Sequence, residues 1–125
     1  MENKNITETP KLLIDSIVEG IQRLKGKEII DLDLTKIDNT ECNHFIICHG
    51  TSNTQVESIA RSIEETVKEQ TGERAWHTDG YRNAEWILLD YSDIMVHIFQ
   101  KNFRTHYDLE NLWADADIKT YNAEN

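Results

Sequence analysis

The chain reads as an α/β domain built on a mixed sheet, and three features predict it. Two long segments carry apolar residues at helical spacing: Ile14, Ile17, Val18, Ile21 and Leu24, then Val56, Ile59, Ala60, Ile63 and Val67. Short β-branched and aromatic runs lie between and after them, too short for helices. Two such runs, Trp86–Leu89 and Ile94–Phe99, are separated only by Asp90-Tyr91-Ser92-Asp93, which is a hairpin signal. A hairpin together with helical crossovers implies a mixed sheet of about five strands in a single layered domain.

Taken in order, residues 1–8 are polar and aperiodic and are expected to form an unstructured tail. Thr9 then offers an N-cap and Pro10 a first helical residue, where a missing N–H costs nothing. Gly26 is placed to end that helix in a left-handed cap. Glu28–Leu34 alternates imperfectly as a strand, Thr35–Thr40 is a loop, and Phe45–Cys48 is a second strand ended by His49-Gly50. Ser52 and Gln55 form a capping-box pair before the second helix, which Gly72 closes. Arg74–His77 is a third strand candidate and Asp79-Gly80 a turn before the hairpin. Lys101–His106 reads as a connector. A last helix starting near Tyr107 or Asp108 follows, because Leu109, Leu112, Trp113 and Ala116 fall at i, i+3, i+4 and i+7. Residues 119–125 are expected to be a second tail, leaving 9–118 as the domain.

With 23 acidic against 13 basic side chains, the net charge is −10. Such a chain repels nucleic acid and anionic membranes, so beside a polyanion it would dock on a basic protein instead. Solubility alone is the commoner meaning of that balance. Two cysteines, Cys42 and Cys48, exclude a disulfide framework and suit a reducing compartment. No apolar run has the length of a membrane span. The opening MENKNITETP has neither a secretory apolar core nor the Arg-rich character of a transit peptide, so the cytoplasm is the expected location.

The stretch WILLDYSDIMVHIF followed by RTHYDLENLWADA resembles the ribosomal silencing factor family, also called Iojap-like. The resemblance extends from about Leu12 to Ala116, carried by the spacing of Trp86, Asp90, Asp93, His97, Tyr107, Leu109, Glu110, Leu112 and Trp113. Ser92 stands where the family usually has glycine, and serine does not take positive φ freely. The resemblance implies a nucleotidyltransferase-like topology. It implies docking on the large ribosomal subunit through the basic ribosomal protein fourteen, which keeps the small subunit from joining and represses translation when nutrients are short. It implies no catalytic residue, no cofactor and no metal.

The rival reading is a nucleotidyltransferase-like enzyme or nucleotide-binding protein. Gly50-Thr51-Ser52 at a strand-to-helix junction suits a phosphate. The paired carboxylates such an enzyme needs about a dozen residues later are Glu64 and Glu65, which a helix turns roughly 100° apart. Asp31 and Asp33 alternate properly but precede the Gly-Thr-Ser turn. Cys42, His44, Cys48 and His49 are zinc-type ligands, yet C-x-H-x₃-C-H is not a knuckle spacing, and a strand sends Cys48 and His49 to opposite faces. The family usually has Asp-Tyr where this chain has Asn43-His44. His97, between Val96 and Ile98, reads as a hydrogen-bonded core histidine rather than a catalytic one, and Asp90 and Asp93 as turn formers.

A binding face is the remaining constellation. Trp86, Tyr107, Leu109, Glu110 and Trp113 are its anchors, with Asp79, Glu85 and Asp90 as acidic groups that would steer a basic partner. Trp113 lies on the Leu109/Leu112/Ala116 stripe and competes for a place in the core. Trp86 is the better surface candidate, because the polar run Thr78–Glu85 leads into it. A three-residue hairpin loop would set Trp86 opposite Ile98 and a two-residue loop opposite Phe99. The sequence leaves that register open. Exposed aromatic surface would also support a homodimer.

Overall fold

The structure, a computed structural model, describes the backbone of residues 2–123 and side chains from Pro10 onward. The elements in order are α1 (Glu2–Arg23), β1 (Lys27–Asp33), β2 (His44–Gly50), α2 (Asn53–Thr71), β3 (His77–Asp79), β4 (Trp86–Asp90), β5 (Ile94–Gln100), α3 (Lys101–Tyr107), α4 (Leu109–Leu112) and β6 (Asp117–Tyr121). One sheet of six strands runs β3-β4-β5-β2-β1-β6, one strand more than expected. The β2–β5 pair is parallel and every other pair antiparallel. The single parallel contact follows from α2, which carries the chain back over the sheet after β2.

Both periodic helices pack on one sheet face. Ile17, Ile21, Ile59, Ile63 and Val67 are fully buried there against Ile46, Cys48, Ile87, Leu89, Val96 and Ile98. Each such side chain contributes roughly 1.5–3 kcal/mol on leaving water. The helices cross tightly at Gly20, where a Cβ would stand 2.7 Å from the Ile63 Cα, and Ser62 Oγ donates to the Gly20 carbonyl at 2.8 Å. Ser52 caps α2 by accepting from Gln55 N–H at 3.1 Å, and Gly72 closes it at φ 79°. Gln55 reaches back to Thr51 N–H at 2.8 Å, one residue before the cap.

Several boundaries differ from the sequence reading. Helix α1 begins at Glu2, with Pro10 inside it rather than at its first turn. Propagation from an already packed helix needs no second nucleus, so the loss of one ladder bond is tolerated. Lys25, not Gly26, takes the left-handed conformation, at φ 60°. Gly26 is required instead for space, since a Cβ would meet Ile21 Cγ2 at 2.4 Å. The third strand lies three residues later than expected, at His77–Asp79. The connector 101–106 is helical, as part of α3, and Leu109 starts only a single turn. Asp108, in left-handed geometry at φ 51°, ends one helix and starts the next. Residues 119–121 of the expected tail belong to β6, an exposed edge strand paired with β1 through Ile118↔Leu32 and Thr120↔Ile30. Met1 and residues 124–125 lie outside the described residues.

The second sheet face is covered by α3 and α4, and a buried arginine fastens them. Arg104 Nη1 donates to the Glu28 carbonyl at 2.7 Å and lies 3.0 Å from His49 Nδ1, while its Nε and Nη2 each lie 3.1 Å from the Glu110 carboxylate. The Glu28 carbonyl is available because β1 breaks register between Lys27 and Ile30, with Glu28 at φ 47°. An Arg104→Met variant should lose about 3 kcal/mol, since it strands Glu110 and the bulge carbonyl. Urea unfolding monitored by circular dichroism measures this. Ser92→Gly should gain up to about 1 kcal/mol in the same assay, because Ser92 sits at φ 76° in the hairpin turn.

Candidate functional site

The hairpin register decides what the second face displays. Tyr91 N–H donates to the Ile94 carbonyl at 2.9 Å across the two-residue loop Ser92-Asp93, which sets Trp86 opposite Phe99, Leu88 opposite His97 and Asp90 opposite Met95. The parallel neighbour β2 adds Phe45 beside Met95, Ile47 beside His97 and His49 beside Phe99. Trp86, Leu88, Met95 and Phe45 are only half-buried on this face, whereas Ile87, Leu89 and Val96 are sealed beneath the helices on the other.

Around Trp86 an aromatic cluster has formed. Its ring stacks on Phe99 with centroids 4.9 Å apart and lies tilted against Tyr107 at 4.7 Å. Its Nε1–H donates to His97 Nδ1 at 3.1 Å, so the polar edge of the indole is spent inside the protein. That bond places the His97 proton on Nε2, which has no hydrogen-bond partner among the described residues. Burial pushes His97 down to about 4, so the ring is neutral at physiological pH. Phe45 meets the His97 ring edge to face at 4.6 Å and Trp113 at 5.8 Å. The expected core histidine is therefore the residue that orients Trp86.

The site residues named from sequence divide into two groups. Trp86, Tyr107 and Glu85 come together at one end of the sheet, with Asp79 on the edge strand opposite Leu88: Tyr107 is 48% exposed at the end of α3, and both carboxylates are exposed. With Gly80, Asn83 and Phe103, three of them (Glu85, Trp86 and Tyr107) bound a cavity of about 170 Å³. Trp113 is half-buried and lines a separate, largely apolar groove of about 220 Å³ with Leu34, Cys42, Phe45 and Met95. Leu109 belongs to the core under α4, Glu110 is engaged by Arg104, and Asp90 accepts from Ser92 N–H at 2.7 Å in the turn. Those three make contacts that hold the face in shape. Phe45, Leu88, Met95 and Phe103 were missed: Met95 and Phe45 share the face only through the register, Phe103 comes to it on α3, and Leu88 was legible from strand alternation alone.

The loop before Trp86 is tightly held. Gly80 has φ 92°, and a Cβ there would fall 2.1 Å from the Trp86 carbonyl oxygen. Ala84, at φ 54°, donates its N–H to the Gly80 carbonyl at 2.9 Å, and Gln100 N–H donates to the Glu85 carbonyl at 2.9 Å.

The groups weighed for chemistry are occupied elsewhere. Ser52 caps α2, Glu64 accepts from Tyr81 Oη at 2.5 Å, and Asp31 is paired with His44 at 2.8 Å. Cys48 and His49 belong to opposite faces of the sheet. Among the described residues, no group of three His, Cys, Asp or Glu is placed to hold a metal ion, and no helix is long and apolar enough to cross a membrane.

Fold and site together define a small mixed α/β protein with two long helices over one sheet face and two short helices beside an aromatic surface on the other. Residues 7–125 match the family described as "Ribosomal silencing factor during starvation". The ribosomal silencing factor RsfS of Bacillus subtilis is 38% identical over 94 residues, 75% of this chain and 78% of its own. That of Halalkalibacterium halodurans is 36% identical over 104 residues, 83% and 87% of the two chains. A crystal structure of a Chromobacterium violaceum protein superposes with TM-score 0.74 at 35% identity, covering 87% of this chain and 86% of its own. The chain belongs to the ribosomal silencing factor family.

Two histidines set opposite pH responses. His97 has a lowered folded value, so the unfolded chain binds the extra proton and stability falls as pH drops from about 6.5 to about 4. That loss amounts to about 3 kcal/mol, and His97→Leu should flatten it. His44 is raised by its bond to Asp31, so its contribution is complete below about pH 6.5 and is lost as pH rises through the folded value. His44→Gln should remove that alkaline decline. Thermal unfolding from pH 4 to pH 9, wild type against each variant, checks both.

Proposed function

We propose that the protein silences ribosomes by occupying space. It docks on the large subunit through the basic ribosomal protein fourteen, using the Trp86 face, and the docked domain keeps the small subunit from joining. Repression is strongest when nutrient limitation leaves subunits idle, and the place of action is the cytoplasm. No covalent step is required. Family membership supports the ribosomal setting, and the single observation that carries the surface is the half-buried Trp86–Tyr107 cluster beside the exposed Glu85. Aromatic residues dominate interface energetics when a partner desolvates them, and acidic neighbours raise the on-rate of a basic partner.

Co-sedimentation with purified large subunits tests this. Wild-type protein should pellet with subunits, and Trp86→Ala and Glu85→Lys should each reduce retention at least about tenfold, a loss of ~1.4 kcal/mol or more. Retention should weaken as salt rises past 0.1 M, where screening acts over about 10 Å. Unchanged retention in both variants, each shown to be folded, would place the docking surface elsewhere.

A further inference from the structure

The cavity beside Trp86 has a composition that selects its occupant. It is lined by the aromatic residues Trp86, Phe103 and Tyr107, by Gly80 and Asn83 of the preceding loop, and by one charged residue, Glu85. Glu85 is exposed, and among the described residues its carboxylate has neither an ion-pair nor a hydrogen-bond partner. Trp86 has committed its Nε1–H to His97, so its indole offers the cavity aromatic carbon and no free donor. Asp79, exposed on the edge strand opposite Leu88, does not line the cavity. Arg82, the loop's own cation, does not line the cavity.

An apolar side chain filling this space would desolvate Glu85 without giving it a partner, which is unfavourable. An anion would meet an acidic residue and no cation. A cation satisfies both elements, since aromatic faces attract positive charge and a carboxylate pairs with it. A guanidinium suits better than an ammonium, because it is planar, weakly hydrated, stacks on rings and forks onto a carboxylate. We propose that this cavity receives one arginine side chain of the docked basic protein, stacked on the Trp86–Tyr107 wall and paired with Glu85. The proposal rests on the docking reading above and adds the residue type that the surface selects.

The geometry of the cavity is fixed before binding. Gly80 permits the loop to lie against the Trp86 backbone, the strained Ala84 is held by its bond to Gly80, and Gln100 pins Glu85 through the main chain. A site set in this way loses less freedom when the arginine enters.

The test separates the pocket from the ribosome. Isotope-labelled protein is titrated with N-acetyl-arginine amide and, in parallel, with N-acetyl-citrulline amide, which keeps the shape and lacks the charge. The arginine derivative should shift the Trp86 indole N–H and the Tyr107 amide resonances, and the citrulline derivative should not. Glu85→Gln, a conservative change at an exposed position, should weaken arginine binding about tenfold while leaving the spectrum of the core unchanged. Equal shifts from both compounds, or shifts confined to other parts of the molecule, overturn the pocket. In co-sedimentation, Glu85→Gln should also lower retention. Retention equal to wild type overturns the pocket alone and leaves docking standing, whereas failure of wild type to pellet overturns the docking reading and its arginine together.

Discussion

A guanidinium buried between a strand bulge and two short helices underlies the second face of the sheet. Arg104 takes the Glu28 carbonyl on one side, the Glu110 carboxylate on the other, and His49 beneath. Helices of seven and four residues are too short to hold themselves, so their position comes from tertiary contacts. Leu109 adds apolar burial, but Arg104 fixes direction, because a planar group with fixed donors accepts few arrangements of its partners. Where α3 lies then determines where Phe103 and Tyr107 meet Trp86. Burial and the neighbouring arginine lower the folded value of His49 in this arrangement.

The two faces illustrate what a sequence exposes and what it withholds. Periodicity and capping chemistry are local, and so α2 was legible from Ser52 to Gly72. The strands under the helices read as apolar runs for the same reason. Register is not local: the loop at Ser92-Asp93 had two plausible lengths, and the composition of the aromatic face depended on the choice. Ser92 at positive φ, where glycine would be usual, blurred the one residue that would have settled it. β6 escaped notice because an exposed edge strand such as Asp117–Tyr121 needs no apolar alternation to pair. The Arg104–Glu110 contact was hidden in a different way. Both residues belong to the family motif, but their six-residue spacing reads as nothing until a left-handed Asp108 breaks the helix between them.

Leu109 and Glu110 show how a motif mixes duties. One fills the core and the other pairs with a buried cation. Trp86 has both duties at once, since its indole is held by His97 and Phe99 from below and open beside Tyr107 above. Anchoring from within restricts the ring to one orientation, and a ring so restricted loses little freedom when covered.

The cysteines are buried on opposite sides of the sheet, Cys48 under the helices and Cys42 beside the apolar groove. Burial pushes their thiols up to about 12 and about 11. At neutral pH the reactive thiolate is then present in about one molecule in ten thousand or fewer. Maleimide chemistry will consequently pass over both, and a single cysteine introduced on the exposed surface can carry a fluorophore without the native pair being removed first.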